Sequence, residues 1–363
     1  MNLFSGTGIN ISNFLSSQRQ VVLFGAGLAG KNALKVLREK GIQVLFFCDN
    51  DPTKHGSNID GVKIFPPSHL KNSTQETILI SSDYYGEISG QLKKIGITNF
   101  YYFGFCFDYD RWYDHFNFQK LEASSERINI AHSLFEDNAS RELFSSLVRF
   151  RYTLGSVGGS WSTFEEYFHP KVKPKPDDTI IDGGAWTGDT AVAFYRALNG
   201  KCQIYSFEPD DENYRKLQDN IVSQNLISSI YPVRYGLWSH PTTLKFESYR
   251  ENSMQHQVSK DGDCQIQVTS IDEFISEKSV LTDQTIVIDL IKMDIEGSEV
   301  EALHGACKTI RKFRPRLQIC SYHKVDDLWE IPILIKEILP DYRLYLGHHS
   351  QNIFETIVYA QYS

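Results

Sequence analysis

Cysteine is scarce and scattered in this chain. Among its 363 residues, six are cysteines, and no two of them form a Cys-x-x-Cys pair (Cys48, Cys106, Cys202, Cys264, Cys307 and Cys320). This spacing argues against a zinc cage and against a disulfide framework. Reduced thiols are the simplest interpretation, so we expect a cytoplasmic protein.

Long apolar segments and basic segments are also missing. No stretch approaches the roughly 18 apolar residues that a membrane helix needs. The first twenty residues lack the apolar block behind a basic start that marks a secretory signal. The formal net charge is −8, and no basic run offers the positive face that a phosphate-backbone binder shows. We therefore expect no membrane span and no nucleic-acid partner.

Two segments of the chain share one plan. Each has a short apolar strand, a glycine-rich turn, a helix and a second strand that ends in an acid, beginning at Val21 and at Thr179. A chain of this length commonly holds two domains. We expect an α/β protein with a smaller Rossmann-like N-terminal domain over residues 1–107. We expect a helical connector over 108–175 to follow, and then a larger C-terminal domain over 176–363.

The first segment carries a dinucleotide-binding pattern. Gly25, Gly27 and Gly30 have the Gly-x-Gly-x-x-Gly spacing between a predicted strand and a predicted helix, and Asp49 ends the next strand. This context fits the fingerprint in which glycines let the backbone approach a pyrophosphate and the acid binds a ribose. The segment spans only about half of a full dinucleotide fold, and it has no Tyr-x-x-x-Lys pair, which argues against redox catalysis.

The first segment also resembles the short domain that opens some sugar-nucleotide acyltransferases and polymer-biosynthesis epimerases. That resemblance rests on residues 48–52 and 61–64. It leaves two interpretations open. The domain binds a nucleotide or nucleotide-sugar, or it has a structural or dimerisation role, in which case the protein is a homo-oligomer.

The second segment continues as alternating strands and helices. Predicted strands end at Asp182, Glu208 and Asp294, and helices fit between them. This alternation predicts a doubly wound parallel sheet. Two final strands with no helix between them predict one antiparallel strand, so a seven-stranded class I methyltransferase sheet fits better than a dehydrogenase sheet.

A glycine-rich loop follows the first strand of this sheet. Gly183, Gly184 and Gly188 allow the backbone to turn tightly, and Asp189 opens the next helix, whose free N–H groups attract anions. Glu208, about twenty residues further on, is placed to accept both hydroxyls of a ribose. The acid at the loop entrance, Asp182, would repel a pyrophosphate but favour the ammonium and sulfonium of S-adenosylmethionine (SAM).

From about residue 165 onward, the chain resembles the FkbM family of methyltransferases. The resemblance rests on residues 166–168, the Asp182 loop, 207–209 with Asn220, 236–238, 270–274, 292–299, 321–323, and 348–349 with 355–356. It implies a SAM-dependent O-methyltransferase acting on sugars, polyketides or other hydroxyl-bearing natural products. It also implies that Asp182, Gly184, Gly188 and Glu208 hold SAM.

Three side chains near the carboxyl ends of later strands are candidates for catalysis. We expect His323 to act as a general base on the acceptor hydroxyl, the alternative being a structural histidine bonded to a loop carbonyl. Asp294 and Glu296 lie near the expected methyl group, and Asp294 is also a candidate SAM contact. They could orient substrate, act as base or bind a divalent cation. Because no third ligand is evident, we predict no metal site while leaving a metal requirement open.

The acceptor itself is not encoded in a motif. We expect a small-molecule or saccharide hydroxyl, with contacts from irregular loops such as 249–262. A nicotinamide-dependent sugar oxidoreductase that uses the N-terminal domain and a non-catalytic binding protein are the alternatives.

Overall fold

The computed structural model describes residues 8–72, 76–155, 161–247, 257–258 and 264–363. The chain divides into two compact units. The first comprises residues 1–129, 142–161 and 350–354, and the second comprises 130–141, 162–349 and 355–363. The predicted connector over 108–175 thus contributes residues to both units, and the three-part division stays a prediction.

The first unit is built from six short strands and several helices. The strands are β1 (Gln20–Phe24), β2 (Gln43–Cys48), β3 (Asn58–Ile59), β4 (Val62–Phe65), β5 (Thr77–Ile80) and β6 (Phe100–Tyr102). The helices are α1 (Ile11–Ser17), α2 (Leu28–Glu39), α3 (Tyr85–Lys94), α4 (Tyr109–Trp112) and α5 (Phe118–Ala123), and α6 (Ser125–Leu134) and α7 (Asn138–Thr153) contribute residues to both units. Short 3-10 turns cover 52–54, 67–72, 104–108 and 113–116.

The strands of the first unit form one sheet in the order β3-β4-β2-β1-β5-β6. All pairs are parallel except β3 with β4. The apolar run Val21–Phe24 is buried throughout, as expected for a central parallel strand. This is the smaller Rossmann-like sheet that the first segment predicts.

The second unit contains the larger sheet and a small one. Its strands are β7 (Asp178–Gly183), β8 (Cys202–Phe207), β9 (Ile230–Val233), β10 (Gly236–Leu237), β11 (Thr242–Glu247), β12 (Gln257–Val258), β13 (Cys264–Thr269), β14 (Leu290–Met293), β15 (Arg316–Cys320), β16 (Tyr342–His348) and β17 (Thr356–Tyr362). Its helices are α8 (Asp189–Ala197), α9 (Asp211–Ser223), α10 (Ile271–Thr282), α11 (Glu299–His304), α12 (Cys307–Phe313) and α13 (Asp327–Ile338).

The larger sheet has seven strands in the order β16-β17-β15-β14-β7-β8-β9. Strand β17 is antiparallel to both of its neighbours, and the other pairs are parallel. The predicted doubly wound sheet with one antiparallel strand is therefore confirmed. Because β14, β7 and β8 are adjacent, their carboxyl ends bring Asp294, the Asp182 loop and Glu208 to one edge.

Two features of the second unit differ from what periodicity predicts. Strands β10 to β13 form a separate four-stranded sheet. The irregular sequence of this segment does not predict that sheet. The spacing of apolar residues over 299–313 predicts a single helix, but the structure interrupts it at Gly305, where a Cβ would lie 2.2 Å from the Trp238 carbonyl oxygen. The close approach of another backbone segment requires glycine, and the helix ends there.

No helix among the described residues is both long and apolar enough to cross a membrane.

Candidate active site

A cavity of about 610 Å³ opens at the carboxyl edge of the seven-stranded sheet. Its walls include the glycine loop after β7, the acid after β8 and the residues after β14. Aromatic surfaces come from Phe168, Trp186, Phe207, Trp238 and Tyr322. A concave, partly aromatic pocket with a few convergent polar groups at this edge is where α/β sheets bind ligands.

The glycines of the loop are required by the local backbone. Gly184 has a φ of +71°, and a Cβ there would lie 1.8 Å from the carbonyl oxygen of Asp294. Gly188, with a φ of +92°, is the residue before α8, and Asp189 begins that helix and lines the cavity. A Cβ on Gly183 would lie 2.7 Å from the Leu237 Cδ1 atom. The loop therefore lies against β14, as glycine alone permits.

Glu208 is held at the cavity wall by two backbone N–H groups. Its Oε2 accepts a hydrogen bond from the Trp186 N–H at 2.9 Å, and its Oε1 accepts one from the Asp210 N–H at 2.9 Å. Burial raises the pKa of Glu208 to about 7, although both hydrogen bonds oppose the rise. The carboxylate is thus fixed in orientation, with lone pairs left for a ligand.

Asp182 lies beneath the loop and does not line the cavity. Its side chain is fully buried, and its Oδ1 lies 3.1 Å from the Nζ atom of Lys292. Its Oδ2 accepts a hydrogen bond from the Ser206 hydroxyl at 3.3 Å. The structure therefore differs from the direct ligand contact expected for Asp182 and gives its charge to a buried ion pair instead.

Lys292 links the loop to strand β14. Its ammonium donates hydrogen bonds to the carbonyl oxygens of Gly183, at 3.2 Å, and Gly184, at 3.0 Å. Burial would lower its pKa, but the charges of Asp182 and Asp294 oppose that effect, and the pKa of Lys292 lies well above its ordinary value. A permanently charged lysine thus fastens the two carbonyls of the glycine loop.

Asp294 projects into the cavity from the end of β14. Its Oδ2 accepts a hydrogen bond from the Tyr167 hydroxyl at 3.2 Å, and its Oδ1 accepts one from the Tyr322 hydroxyl at 3.2 Å. Burial opposes ionisation, but His323 and Lys292 together outweigh it and hold the pKa of Asp294 below its ordinary value. The group is an ionised, firmly oriented hydrogen-bond acceptor.

His323 lies behind Asp294 and is almost fully buried. Its Nδ1 lies 2.9 Å from Glu299 Oε1, and its Nε2 lies 3.3 Å from Asp294 Oδ1 and 3.7 Å from Glu296 Oε2. Burial disfavours the charged imidazole, yet these three carboxylates outweigh it and raise the pKa of His323 to about 9. The general-base role of His323 stays a prediction, and a protonated imidazole would first have to lose its proton.

Four described non-glycine residues on the cavity wall have a left-handed backbone. The φ angles are +63° at Tyr167, +46° at Trp186, +55° at Glu296 and +51° at Glu355. Non-glycine residues in this region store strain of about 1–3 kcal/mol each and cluster at functional sites. The strain therefore marks the same cavity as the polar groups do.

Glu166 and Glu355 add negative charge to this wall. Burial, followed by the charges of Glu355 and Asp294, raises the pKa of Glu166 to about 7. Burial and Asp294 also raise the pKa of Glu355. Apart from Lys292, which is paired with Asp182, no lysine or arginine lines the cavity among the described residues. The cavity thus disfavours an anionic ligand near Asp294.

The N-terminal glycine pattern forms a second loop–acid pair in the first unit. The Oδ2 of Asp49 accepts a hydrogen bond from the Ala26 N–H at 2.7 Å, and its Oδ1 accepts one from the Asp51 N–H at 2.8 Å. Lys54 Nζ also lies 3.1 Å from the same Oδ2.

The three glycines of this pattern differ in the space around them. A Cβ on Gly25 would lie 2.5 Å from the Ser81 carbonyl oxygen, and one on Gly30 would lie 2.0 Å from the Gly25 carbonyl oxygen. Gly27 has no atom within 4 Å of such a Cβ. Gly25 and Gly30 are thus explained by packing of the first unit alone.

Several residues of the site carry no role in the sequence prediction, namely Tyr167, Lys292, Glu299, Tyr322 and Glu355. One of them has a visible signal, because Lys292 is a charged residue in the otherwise apolar, buried strand Leu290–Met293. Buried lysines are rare unless paired. The predicted acceptor loop 249–262 lies outside the described residues apart from Gln257–Val258.

Comparisons with known proteins find one matching family model in each part of the sequence. Residues 182–351 match the family described as the methyltransferase FkbM domain. Residues 17–100 match the family described as C2185-like, N-terminal.

One solved structure resembles nearly the whole chain. The methyltransferase FkbM from Methylobacillus flagellatus KT is 21% identical with a TM-score of 0.73, covering 98% of this chain and 94% of that one. At this identity, the likeness shows the fold.

Two curated proteins are similar to parts of this chain. The 2-O-methyltransferase NoeI of Sinorhizobium fredii is 26% identical over 189 residues, 47% of this chain and 74% of that protein. The redox-sensing transcriptional repressor Rex of Desulfitobacterium hafniense is 31% identical over 109 residues, 25% of this chain and 52% of that protein. The chain therefore spans about half the length of the repressor.

Proposed function

We propose that this chain, a SAM-dependent methyltransferase whose residues 182–351 belong to the FkbM family, methylates a hydroxyl group of a sugar, glycoconjugate or related natural product. The observation that carries the proposal is the cavity at the sheet edge, where Glu208 is oriented by the N–H groups of Trp186 and Asp210. When bound there, SAM supplies a methyl group activated by its sulfonium.

The described residues fit SAM at the β7–β8 side of the cavity. Glu208 offers carboxylate oxygens to the ribose hydroxyls, and Gly184 and Gly188 keep the loop close enough for backbone contact. The indole N–H of Trp186 is buried at the cavity and has no hydrogen-bond partner among the described residues. Such a donor suits a polar group of the ligand. Asp182 serves through Lys292, by holding the loop in place.

The acceptor hydroxyl belongs beside Asp294. This carboxylate lines the cavity, is ionised and is held by two tyrosine hydroxyls. It can accept the hydrogen bond of an incoming hydroxyl and fix its oxygen in place, and positioning supplies much of the rate in such transfers. His323 then stabilises and orients Asp294 from behind, while Glu296 adds a second acceptor on the wall.

Two findings favour a saccharide hydroxyl. The relative NoeI is named a 2-O-methyltransferase, and the N-terminal sequence resembles domains of sugar-nucleotide proteins. The acidic wall formed by Glu166, Glu296 and Glu355 favours a neutral or cationic acceptor over a phosphate-bearing one.

Calorimetric titration with SAM tests the proposal. We expect Glu208→Ala to weaken SAM binding about 10- to 100-fold, because it removes oriented acceptors worth about 1.5–3 kcal/mol. The matched control is Asp49→Ala in the first unit, which we expect to leave SAM affinity unchanged. Equal SAM affinity in wild type and Glu208→Ala would refute the assignment of this cavity.

Nucleotide or nucleotide-sugar binding by the N-terminal unit stays a prediction, as do its structural alternative and a cytoplasmic location. A thermal-shift titration of the full chain with UDP-sugars and NAD tests binding. Stabilisation that disappears in Asp49→Ala would favour a nucleotide site, whereas no stabilisation by either ligand would favour the structural role.

A further inference from the structure

Three potential metal-binding side chains converge at the floor of the cavity. The Nε2 atom of His323 lies 3.3 Å from Asp294 Oδ1 and 3.7 Å from Glu296 Oε2. The carboxylate side chains are 29% and 28% exposed and line the cavity, whereas the imidazole is 1% exposed. The two carboxylates are thus partly exposed to the cavity where an acceptor would enter, whereas the imidazole is buried behind them.

The imidazole is held from behind by a carboxylate. Glu299 Oε1 lies 2.9 Å from His323 Nδ1 and also accepts a hydrogen bond from the Ile295 N–H at 2.9 Å. Glu299 is fully buried, so its position is set by the fold. A carboxylate on one ring nitrogen fixes the tautomer and turns the other nitrogen into a ligand, as in carboxylate–histidine–metal triads.

The second ring nitrogen of His323 is near two carboxylates but bonded to neither. His323 Nε2 makes no hydrogen bond among the described residues, although two carboxylate oxygens lie within 3.7 Å. An imidazole placed only to bond Asp294 would align its N–H with that oxygen. A buried nitrogen that faces the space between two acids is instead the arrangement expected around a shared cation.

The distances from the imidazole and the local charge fit a divalent ion. His323 Nε2 lies 3.3 Å from Asp294 Oδ1 and 3.7 Å from Glu296 Oε2, and neighbouring ligand atoms about 2.1 Å from one ion are separated by roughly 3 to 4 Å. Three carboxylates, Asp294, Glu296 and Glu299, approach one imidazole. A cation bound at Nε2 displaces the second imidazole proton to solvent and takes over compensation of this negative charge.

We propose that Asp294, Glu296 and His323 bind a divalent cation, with Glu299 as the positioning residue for the imidazole. An ion there would present open coordination positions to the cavity. The role of the ion rests on the proposed function. It would bind the acceptor oxygen and favour transfer of the hydroxyl proton to water.

Manganese binding tests the site directly. The full-length protein is stripped with EDTA, and Mn²⁺ is titrated by electron paramagnetic resonance and calorimetry. We expect one Mn²⁺ per chain, with affinity reduced at least tenfold in Glu296→Gln and in His323→Ala. Glu299→Gln should weaken binding about 10- to 100-fold, the range for partners that orient a ligand.

Matched controls separate this loss from general effects. His304→Ala changes an exposed histidine of α11, and Glu301→Gln changes a carboxylate of the same helix. Both should bind Mn²⁺ as wild type does. Circular dichroism identifies any variant that fails to fold, and Glu296→Gln, at the partly exposed cavity wall, keeps the test valid if His323→Ala unfolds.

These outcomes test the cation site separately from the methyltransferase assignment. SAM binding by EDTA-stripped protein tests the cavity independently of the ion. If SAM binds but Mn²⁺ shows no binding at millimolar concentration, or binds equally to Glu296→Gln and His323→Ala, the cation site is refuted and the proposed function stands. Absence of SAM binding itself would count against the proposed function.

Discussion

The two glycine loops of this protein share a local design but differ in what surrounds the acid. Glu208 and Asp49 each accept one hydrogen bond from the glycine loop and one from the N–H group two residues further on. Glu208 then faces a large cavity, whereas Asp49 also contacts the ammonium of Lys54. The same loop–acid geometry therefore leaves one carboxylate facing a cavity and brings a cation to the other.

The neighbouring strand differs as well. In the first unit, the hydroxyl of Ser81 donates to the carbonyl oxygens of Phe24 and Gly25, at 3.3 and 3.0 Å. In the second unit, Lys292 donates to Gly183 and Gly184 in the corresponding place. A neutral hydroxyl needs no counter-ion, whereas a buried ammonium needs Asp182. The comparison shows that a loop of this shape can be fastened with or without charge.

The largest effect in this comparison is expected from Lys292→Met. The change leaves Asp182 charged, buried and without its cation, and breaking a buried pair this way costs about 3–5 kcal/mol. We expect the free energy of unfolding, measured by urea denaturation, to fall by that amount. Ser81→Ala removes neutral hydrogen bonds and should cost only about 1 kcal/mol. Similar losses in the two variants would contradict the role given to the charged pair.

The second-largest effect is expected from replacing a glycine in each of the two loops. Gly184→Ala would put a Cβ 1.8 Å from the Asp294 carbonyl oxygen at a φ of +71°. We expect SAM binding to fall below detection in calorimetry and stability to drop by about 2–4 kcal/mol. Gly27→Ala meets open space and should change stability by less than about 1 kcal/mol. A tolerated Gly184→Ala would show that the loop can move away from β14.

The smallest expected effect is a pH dependence of SAM affinity that arises from Glu208, the acid that faces the cavity. Glu208 must be ionised to accept ribose hydroxyls, and its pKa is raised to about 7. SAM affinity should therefore be constant above pH 7 and fall by at most about tenfold per unit as the pH drops below it. Calorimetry from pH 5.5 to 8.5 measures this, and Glu208→Gln should remove the dependence. The same slope in Glu208→Gln would assign it to another group.

The raised pKa of Glu208 also has a consequence for stability. Because the folded state binds the proton more tightly than the unfolded state, this group stabilises the fold at low pH. Its contribution is fully present below about 4.5 and is lost as the pH rises through about 7. Without SAM, the free energy of unfolding of wild type should fall over that range more than that of Glu208→Gln.

Local patterns were sufficient for the two parallel sheets, although not for the small sheet of β10 to β13. The apolar run Val21–Phe24 and the acids at the ends of β7, β8 and β14 predicted parallel strands, which the strand order confirms. Periodicity failed where contacts distant in sequence decide the backbone. The break at Gly305 follows from the Trp238 carbonyl oxygen, which no helical pattern can reveal.

The sequence by itself determined the two α/β segments, the doubly wound sheet and the glycine loops with the acids that follow them, because strand periodicity and glycine spacing are local properties of the chain. Only the tertiary structure decided the partners of each charge. It paired Asp182 with Lys292, placed His323 behind Asp294, and set Lys54 against Asp49. Electrostatic roles depend on distance and burial, and these arise only when separate segments pack together.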